Sequence, residues 1–201
     1  GVYVYLPLGY RVYKKIEKII REEMEKVGGQ EVFFSVLMPK ELWQKTGRWE
    51  SFGETLFKLK DRSGREYVLG PTHEEIVGEV ARKIIKTYKD LPMAIFQIQD
   101  KFRDEARPKS GLLRGKGFMM KDLYSFHPDQ RDLDIYYEKV KKAYIKIFNR
   151  CGLKVYVVEA SGGSFTKEYT HEFMVKTPAG EDWTILCELC GFPFSDFSIL
   201  S

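Results

Sequence analysis

The chain alternates between helical and strand periodicity. From Tyr10 to Val27 the apolar positions Val12, Ile16, Ile19, Ile20, Met24 and Val27 recur at helical spacing with Lys and Glu between them, the mark of an amphipathic helix with a core-facing stripe. Gly28-Gly29 ends it. Gly1 to Pro7 before it is strand-like. Glu31 to Met38 after it reads as a strand, Lys40 to Thr46 as a short helix and Gly47-Arg48-Trp49 as a turn. Leu56–Lys60 and Glu66–Leu69 flank Asp61-Arg62-Ser63-Gly64-Arg65, a hairpin with a glycine turn. Gly70-Pro71 breaks that strand. Thr72 then stands as an N-cap, with Glu75 where a capping box wants it, and a helix runs to Tyr88. Leu91-Pro92 opens a strand ending in Phe102-Arg103-Asp104-Glu105; Ala106 to Leu113 is a turn-rich crossing; Gly117 to Phe126 is a second strand. A helix follows Pro128 to Gln130 and runs through Arg150, its apolar face made by Leu133, Tyr136, Tyr137, Val140, Tyr144, Ile147 and Phe148. Lys154 to Glu159 and Trp183 to Leu186 are the last predicted strands, with a flexible turn at Ser161-Gly162-Gly163-Ser164.

A chain of 201 residues is long enough for one sizeable core, or one domain plus a small appendage. With 43% hydrophobic and 31% charged residues it has the composition of a soluble globular protein. No apolar run approaches the roughly 20 residues that span a bilayer, and no basic leader precedes an apolar stretch, so neither a membrane association nor a signal peptide is expected. A net charge of +4 permits a nucleic-acid partner without demanding one. Three cysteines, one isolated, make no disulfide framework, and a cytoplasmic setting is expected. Cys187-Glu188-Leu189-Cys190-Gly191 is half of a zinc knuckle and could open a further segment over 187–201. A structural zinc takes four ligands and no second pair is present, so zinc binding by this chain alone is not expected.

The densest chemistry lies between Ile98 and His127. Side chains two apart on a strand share a face, so Arg103 and Glu105 are expected on one side, with Phe118, Met120, Asp122 and Tyr124 across from them. That surface would suit a purine and its phosphates: a planar guanidinium fork for phosphate oxygens, a ring for stacking and carboxylates to accept from an amine. The same alternation also describes an ordinary half-solvated hairpin. His73-Glu74-Glu75 is not a zinc helix, because no second His lies four residues on. Thr72, taken alone, is a cap, and His171, taken alone, serves structure and function equally well.

Phe102-Arg103-Asp104-Glu105, a loop, then Arg114 and Phe118 resemble motif 2 of the class II aminoacyl-tRNA synthetases. The longer wording FQIQDKFRDEARP and GFMMKDLYSFH, with GVYVYLPLGYRV, ELWQKTGRWE, LGPTHEE and THEFMV, is similar to the bacterial-type prolyl-tRNA synthetases over nearly the whole chain. The resemblance implies an α+β fold, an antiparallel sheet with flanking helices. It also implies that residues 1–201 are a catalytic core lacking both ends, the third class II motif and an anticodon-binding domain. Helix and strand from Tyr10 to Met38 would be motif 1, the dimer-building element, with Ser35 where the family usually carries Pro. By the same resemblance Arg103 bridges the α-phosphate of ATP and the proline carboxylate, Glu105 accepts from the adenine amine, Arg114 meets the terminal phosphates and Phe118 stacks on adenine. Thr72 and Glu74 hold the imino group, Asp122 and Tyr124 line the proline pocket, and His171 lies near the active site. Proline, ATP with Mg2+, tRNA(Pro) and a second copy of the enzyme are the implied partners. A synthetase-like RNA- or partner-binding module without ligation activity is the alternative, and a trans-editing hydrolase ranks behind both.

Overall fold

The computed structural model describes residues 1–161, 169–178, 180, 182–186 and 193–194. The chain divides into two compact units, Gly1–Lys139 and Val140–Ser201. Helix α1 (Pro7–Lys26) starts earlier than its apolar spacing predicts, because Pro7 in its first turn has a preset φ and no amide to leave unpaired. Gly1 to Leu6 join no strand, a correction to the expected β opening; instead the Gly1 carbonyl accepts from the Lys116 amide at 2.8 Å. At the other end Gly28 N–H donates to Glu25 O (2.9 Å) and Gly29 N–H to Met24 O (3.0 Å), with Gly28 at φ +90°. This paired closure needs a residue free to turn left-handed. Gly29 must also stay bare, since a Cβ there would lie 2.9 Å from the Phe96 ring. The α1 stripe is core only at its C-terminal end: Met24 and Val27 are buried, while Val12 and Ile16 stand exposed.

The Glu31–Met38 run does not hold as one strand. It gives β1 (Gln30–Glu31) and β2 (Leu37–Pro39) in different sheets. Between them side-chain amides replace a strand partner: Gln97 Oε1 accepts from Phe34 N at 3.2 Å, and Gln99 Nε2 donates to Phe34 O at 3.1 Å. Ser35 donates its hydroxyl to Leu37 O at 2.8 Å. Helix α2 (Lys40–Lys45) is as expected. Where a turn was expected at Gly47-Arg48-Trp49, Arg48–Ser51 closes into a single helical turn, α3. Strands β3 (Phe57–Lys60) and β4 (Glu66–Leu69) form the predicted hairpin, and β2 joins it to give an antiparallel sheet of order β2-β4-β3. Met38, Trp43, Trp49, Leu56 and Val68 make the core beneath, with Leu42, Phe52 and Ile76 packed on it.

Helix α4 (Glu74–Ile84) is shorter than predicted and has His73, not Thr72, at its N-cap, with no side-chain cap bond. The capping box fails because both its members are engaged elsewhere. Thr72 Oγ1 donates to Glu74, and Glu75 accepts from Thr46 (3.2 Å) and Arg48 (3.1 Å). Strands β5 (Met93–Phe102) and β6 (Gly117–Phe126) pair antiparallel along their whole length, and β1 runs parallel to β5 on its other side. The register sets Ile95 opposite Tyr124, Gln97 opposite Asp122, Gln99 opposite Met120 and Lys101 opposite Phe118. Phe102 N–H donates to Gly70 O at 3.1 Å, which ties the end of β5 to the end of the β4 hairpin.

Helix α5 (Gln130–Arg150) is capped by Asp129, which accepts from Asp132 N at 2.8 Å. In the second unit β7 (Val155–Ser161) pairs antiparallel with β8 (Tyr169–Val175), and short β9 (Ile185–Leu186) and β10 (Pro193–Phe194) complete the order β8-β7-β10-β9. Tyr144 and Phe148 of α5 stack on Phe173, with ring centroids 4.8 and 6.2 Å away. The predicted last strand shrinks to Ile185–Leu186, and Trp183 is exposed. Among the described residues no helix is long and apolar enough to cross a membrane.

Candidate active site

The β5–β6 register places Gln97, Gln99 and Lys101 on one face with Phe118, Met120, Asp122 and Tyr124. Arg103 follows β5 in the same phase. Its guanidinium carbon lies 5.2 Å from the Phe118 ring centre, and Nη2 donates to Pro71 O at 3.4 Å. Arg103 thus reaches from the hairpin to the junction before Thr72. Glu105 does not share that face by strand pairing as expected. β5 stops at Phe102, and the Glu105 amide folds back on Arg103 O at 2.8 Å. Arg114 is exposed in the crossing loop, where its carbonyl accepts from Lys109 N at 3.2 Å.

Asp122 is occupied rather than open. Its Oδ2 accepts from Gln97 Nε2 at 2.9 Å and from the Tyr124 hydroxyl at 2.6 Å, while Oδ1 lies 2.9 Å from Lys101 Nζ. The Tyr124 oxygen in turn accepts from the His73 amide at 3.2 Å. A continuous relay therefore runs from Lys101 through Asp122 and Tyr124 to the backbone between Thr72 and Glu74. Thr72 Oγ1 donates to Glu74, which also faces Arg48 at 3.5 Å; Arg48 pairs with Glu75 at 3.1 Å. With Arg103 set aside, three carboxylates stand here against two cations, Arg48 and Lys101, an excess of one negative charge.

The electrostatics follow from burial. Lys101 and His73 are fully buried, and Tyr124 is half-buried. Desolvation lowers the Lys101 ammonium from its ordinary value, while Asp122, then Glu74 and Asp100, pull it back up. Desolvation also takes the His73 imidazole from 6.5 down to about 4, reinforced by the Lys101 charge and opposed by Asp122 and the Ser35 backbone. His73 is therefore neutral near pH 7. Burial, with the bond to Asp122 and the charge of Glu74 behind it, raises the Tyr124 phenol well above its usual range, so it remains a donor.

Thr72, Glu74, Asp122, Tyr124, Arg103 and Phe118 are brought into one neighbourhood. His171 belongs to the second unit, on β8, where its Nε2 is 3.2 Å from Lys141 Nζ. Cys187 and Cys190 lie outside the described residues, as does the glycine turn at Gly162 and Gly163. Sequence reasoning did not single out Lys101, Gln97 or Arg48. A signal for the first two was present: polar Gln97, Gln99 and Lys101 alternate with apolar Phe96 and Ile98, the pattern of a strand whose second face is a polar interior. Arg48 carried no such signal, because only the folding of α3 brings it to Glu74 and Glu75.

A hairpin holding an Arg against a Phe thus stands beside a Thr–Glu pair at a helix start. Residues 57–198 match the family described as tRNA synthetase class II core domain (G, H, P, S and T), and the chain belongs to that family. Among curated relatives, the proline–tRNA ligase of Caldicellulosiruptor bescii is 54% identical over 192 residues, 96% of this chain and 34% of that protein. The ligase of Syntrophus aciditrophicus is 51% identical over 96% of this chain and 33% of its own length. The chain thus spans about a third of the length of the curated relatives it matches. Among solved structures, Giardia lamblia prolyl-tRNA synthetase in complex with prolyl-adenylate superposes with a TM-score of 0.81 at 23% identity, covering 90% of this chain and 38% of that one. That likeness establishes the fold: a class II core of mixed α and β elements with antiparallel sheets.

Proposed function

We propose that this chain forms the proline- and ATP-binding core of a cytoplasmic proline–tRNA ligase. The observation that carries the reading is the placement of Arg103, stacked on Phe118, next to the Thr72–Glu74 junction. The reading also draws on the proline–tRNA ligase relatives and the prolyl-adenylate held by the Giardia lamblia enzyme. In the first step the proline carboxylate attacks the α-phosphorus of ATP. The P–O bond to pyrophosphate breaks, and prolyl-adenylate forms. In the second, a terminal hydroxyl of tRNA(Pro) attacks the prolyl carbonyl, loses its proton and releases AMP. The first step needs no general base, since the carboxylate is already ionised near neutral pH. Catalysis is then positioning and charge stabilisation.

Arg103 spans the α-phosphate and the substrate carboxylate, Phe118 carries the adenine, Glu105 accepts from the adenine amine and Arg114 meets the outer phosphates. With Arg103 committed to the phosphate and carboxylate, the excess negative charge around Glu74 complements the cyclic ammonium of proline, whose two hydrogens suit the Thr72 oxygen and the Glu74 carboxylate. Asp122 and Tyr124 act from behind as the wall that fixes this pair. Among the described residues no group of three or more His, Cys, Asp or Glu side chains gathers as a metal cage. Magnesium would be carried mainly on phosphate oxygens and water, where it would neutralise phosphate charge. The exposed apolar surface of Leu8, Val12 and Ile16 on α1, with Phe33 beyond it, supports a homodimer through this element.

The test is calorimetric binding of a non-hydrolysable prolyl-adenylate analogue, with alanyl and threonyl analogues as controls. Selective binding of the prolyl compound is the expected result. Equal binding of all three would overturn the proline assignment, and no binding by a folded sample would overturn the claim that this chain holds the substrate site.

A further inference from the structure

Lys101 has no part in that reaction, yet its charged side chain is fully buried, a costly place for an ammonium. Among the described residues Asp122 is the one ion partner of that ammonium, at 2.9 Å. An ammonium has three donors, and a buried ion pair is seldom more stable than apolar side chains of the same volume. A residue retained purely for packing at this place would be apolar. What distinguishes Lys101 is its connection. Asp122 also accepts from Tyr124, whose oxygen accepts from the amide of His73, between Thr72 and Glu74.

We propose that Lys101 is a positioning residue of the imino-acid site: its ammonium locks the Asp122 carboxylate, and through Tyr124 the Thr72–Glu74 junction, in the geometry that receives a cyclic ammonium. Lys101 also sets the charge of the site. With it, Glu74, Glu75 and Asp122 face Arg48 and Lys101, and one negative charge remains for the one positive charge of the substrate. Without it two negative charges remain, and Asp122 becomes a second, misplaced acceptor for the ammonium. The proposal deepens the proline-binding reading and rests on it for the identity of the ligand, but not for the relay.

The experiment compares the 201-residue chain with Lys101→Met, which keeps length and removes charge, and with Lys101→Met combined with Asp122→Asn. Asn keeps an oxygen to accept from Tyr124 while removing the carboxylate that needs a counter-ion. Two quantities are read: amide hydrogen exchange at His73, and calorimetric affinity for the prolyl-adenylate analogue beside a non-hydrolysable ATP analogue. Lys101→Met is expected to speed His73 exchange and weaken the prolyl compound about 10- to 100-fold, with the ATP analogue little changed. The double variant is expected to restore both. A side chain that merely fills space would show no such rescue. Unchanged His73 exchange in Lys101→Met, or a double variant no better than the single one, would overturn the proposal. If the unaltered chain fails to bind the prolyl compound, the proline reading falls, and the exchange measurements still decide the role of Lys101 on their own.

Discussion

His73 provides a sharp test of the site's electrostatics. Its imidazole is fully buried between two residues proposed to hold substrate, and burial with the neighbouring Lys101 charge takes it from 6.5 to about 4. The sign follows from proton counts. Between pH 6.5 and about 4 the unfolded chain carries the proton on this side chain and the folded chain does not, so unfolding takes up a proton and stability falls as pH falls. Above pH 6.5 the contribution is fully present. Integrating over the window gives a loss of about 2 kcal/mol at pH 5 and about 3 kcal/mol at pH 4 from this one group. Glu17, Glu66, Glu79 and Asp90, each lowered by its own hydrogen bonds, also lose their contributions at low pH. His73→Gln retains all four, so the difference between the two proteins isolates the imidazole. The assay is urea unfolding of both at pH 8, 6, 5 and 4, with NMR titration of the histidine resonances that the substitution removes. The variant should show the shallower pH dependence, and the gap should open between pH 6.5 and 4. Parallel pH profiles, or a His73 resonance that titrates above pH 6, would refute the reasoning.

Two further outcomes are expected. Arg48→Ala leaves the Glu75 carboxylate buried with, among the described residues, only the Thr46 hydroxyl on the same oxygen, and should destabilise the chain by about 3–5 kcal/mol in urea unfolding; a change within roughly 0.5 kcal/mol, the size of an ordinary surface substitution, would show that the pair is solvent-screened. Arg103→Ala should abolish prolyl-adenylate formation and analogue binding while the melting temperature changes little, since its side chain bridges a carbonyl and a ring rather than the core; undiminished binding would remove Arg103 from the site.

Much of the architecture was legible because periodicity reports burial. The β3–β4 hairpin, the long β5–β6 hairpin and α5 all lie where alternation and helical spacing put them. The departures share a cause: they depend on partners distant in sequence. Glu31–Met38 has the composition of one strand, but Gln97 and Gln99 capture the backbone at Phe34 and split it. Thr72 and Glu75 have the spacing of a capping box, but a carboxylate next to the one and an arginine next to the other offer stronger bonds. For the site, motif wording led to Arg103, Phe118, Thr72 and Glu74. Lys101 carries no motif of its own: its ammonium meets Asp122 diagonally, two same-face pairs along the neighbouring strand, and that meeting is a property of register rather than of either strand alone.

That register has a consequence for how such a sequence can drift. β5 and β6 stay in step from Met93 opposite Phe126 to Phe102 opposite Gly117, and Gln97, Gln99 and Lys101 share the candidate site's face with Phe118, Met120, Asp122 and Tyr124. Inserting or deleting one residue inside either strand would exchange the two faces beyond that point, sending Asp122 and Tyr124 outward and turning Leu123 and Ser125 in. The crossing between Arg103 and Lys116 bears no such constraint, since its length does not set the parity of either strand. Changes in chain length should therefore accumulate in that crossing and be purged from the strands, so that the hairpin works as a fixed ruler with a freely editable tip.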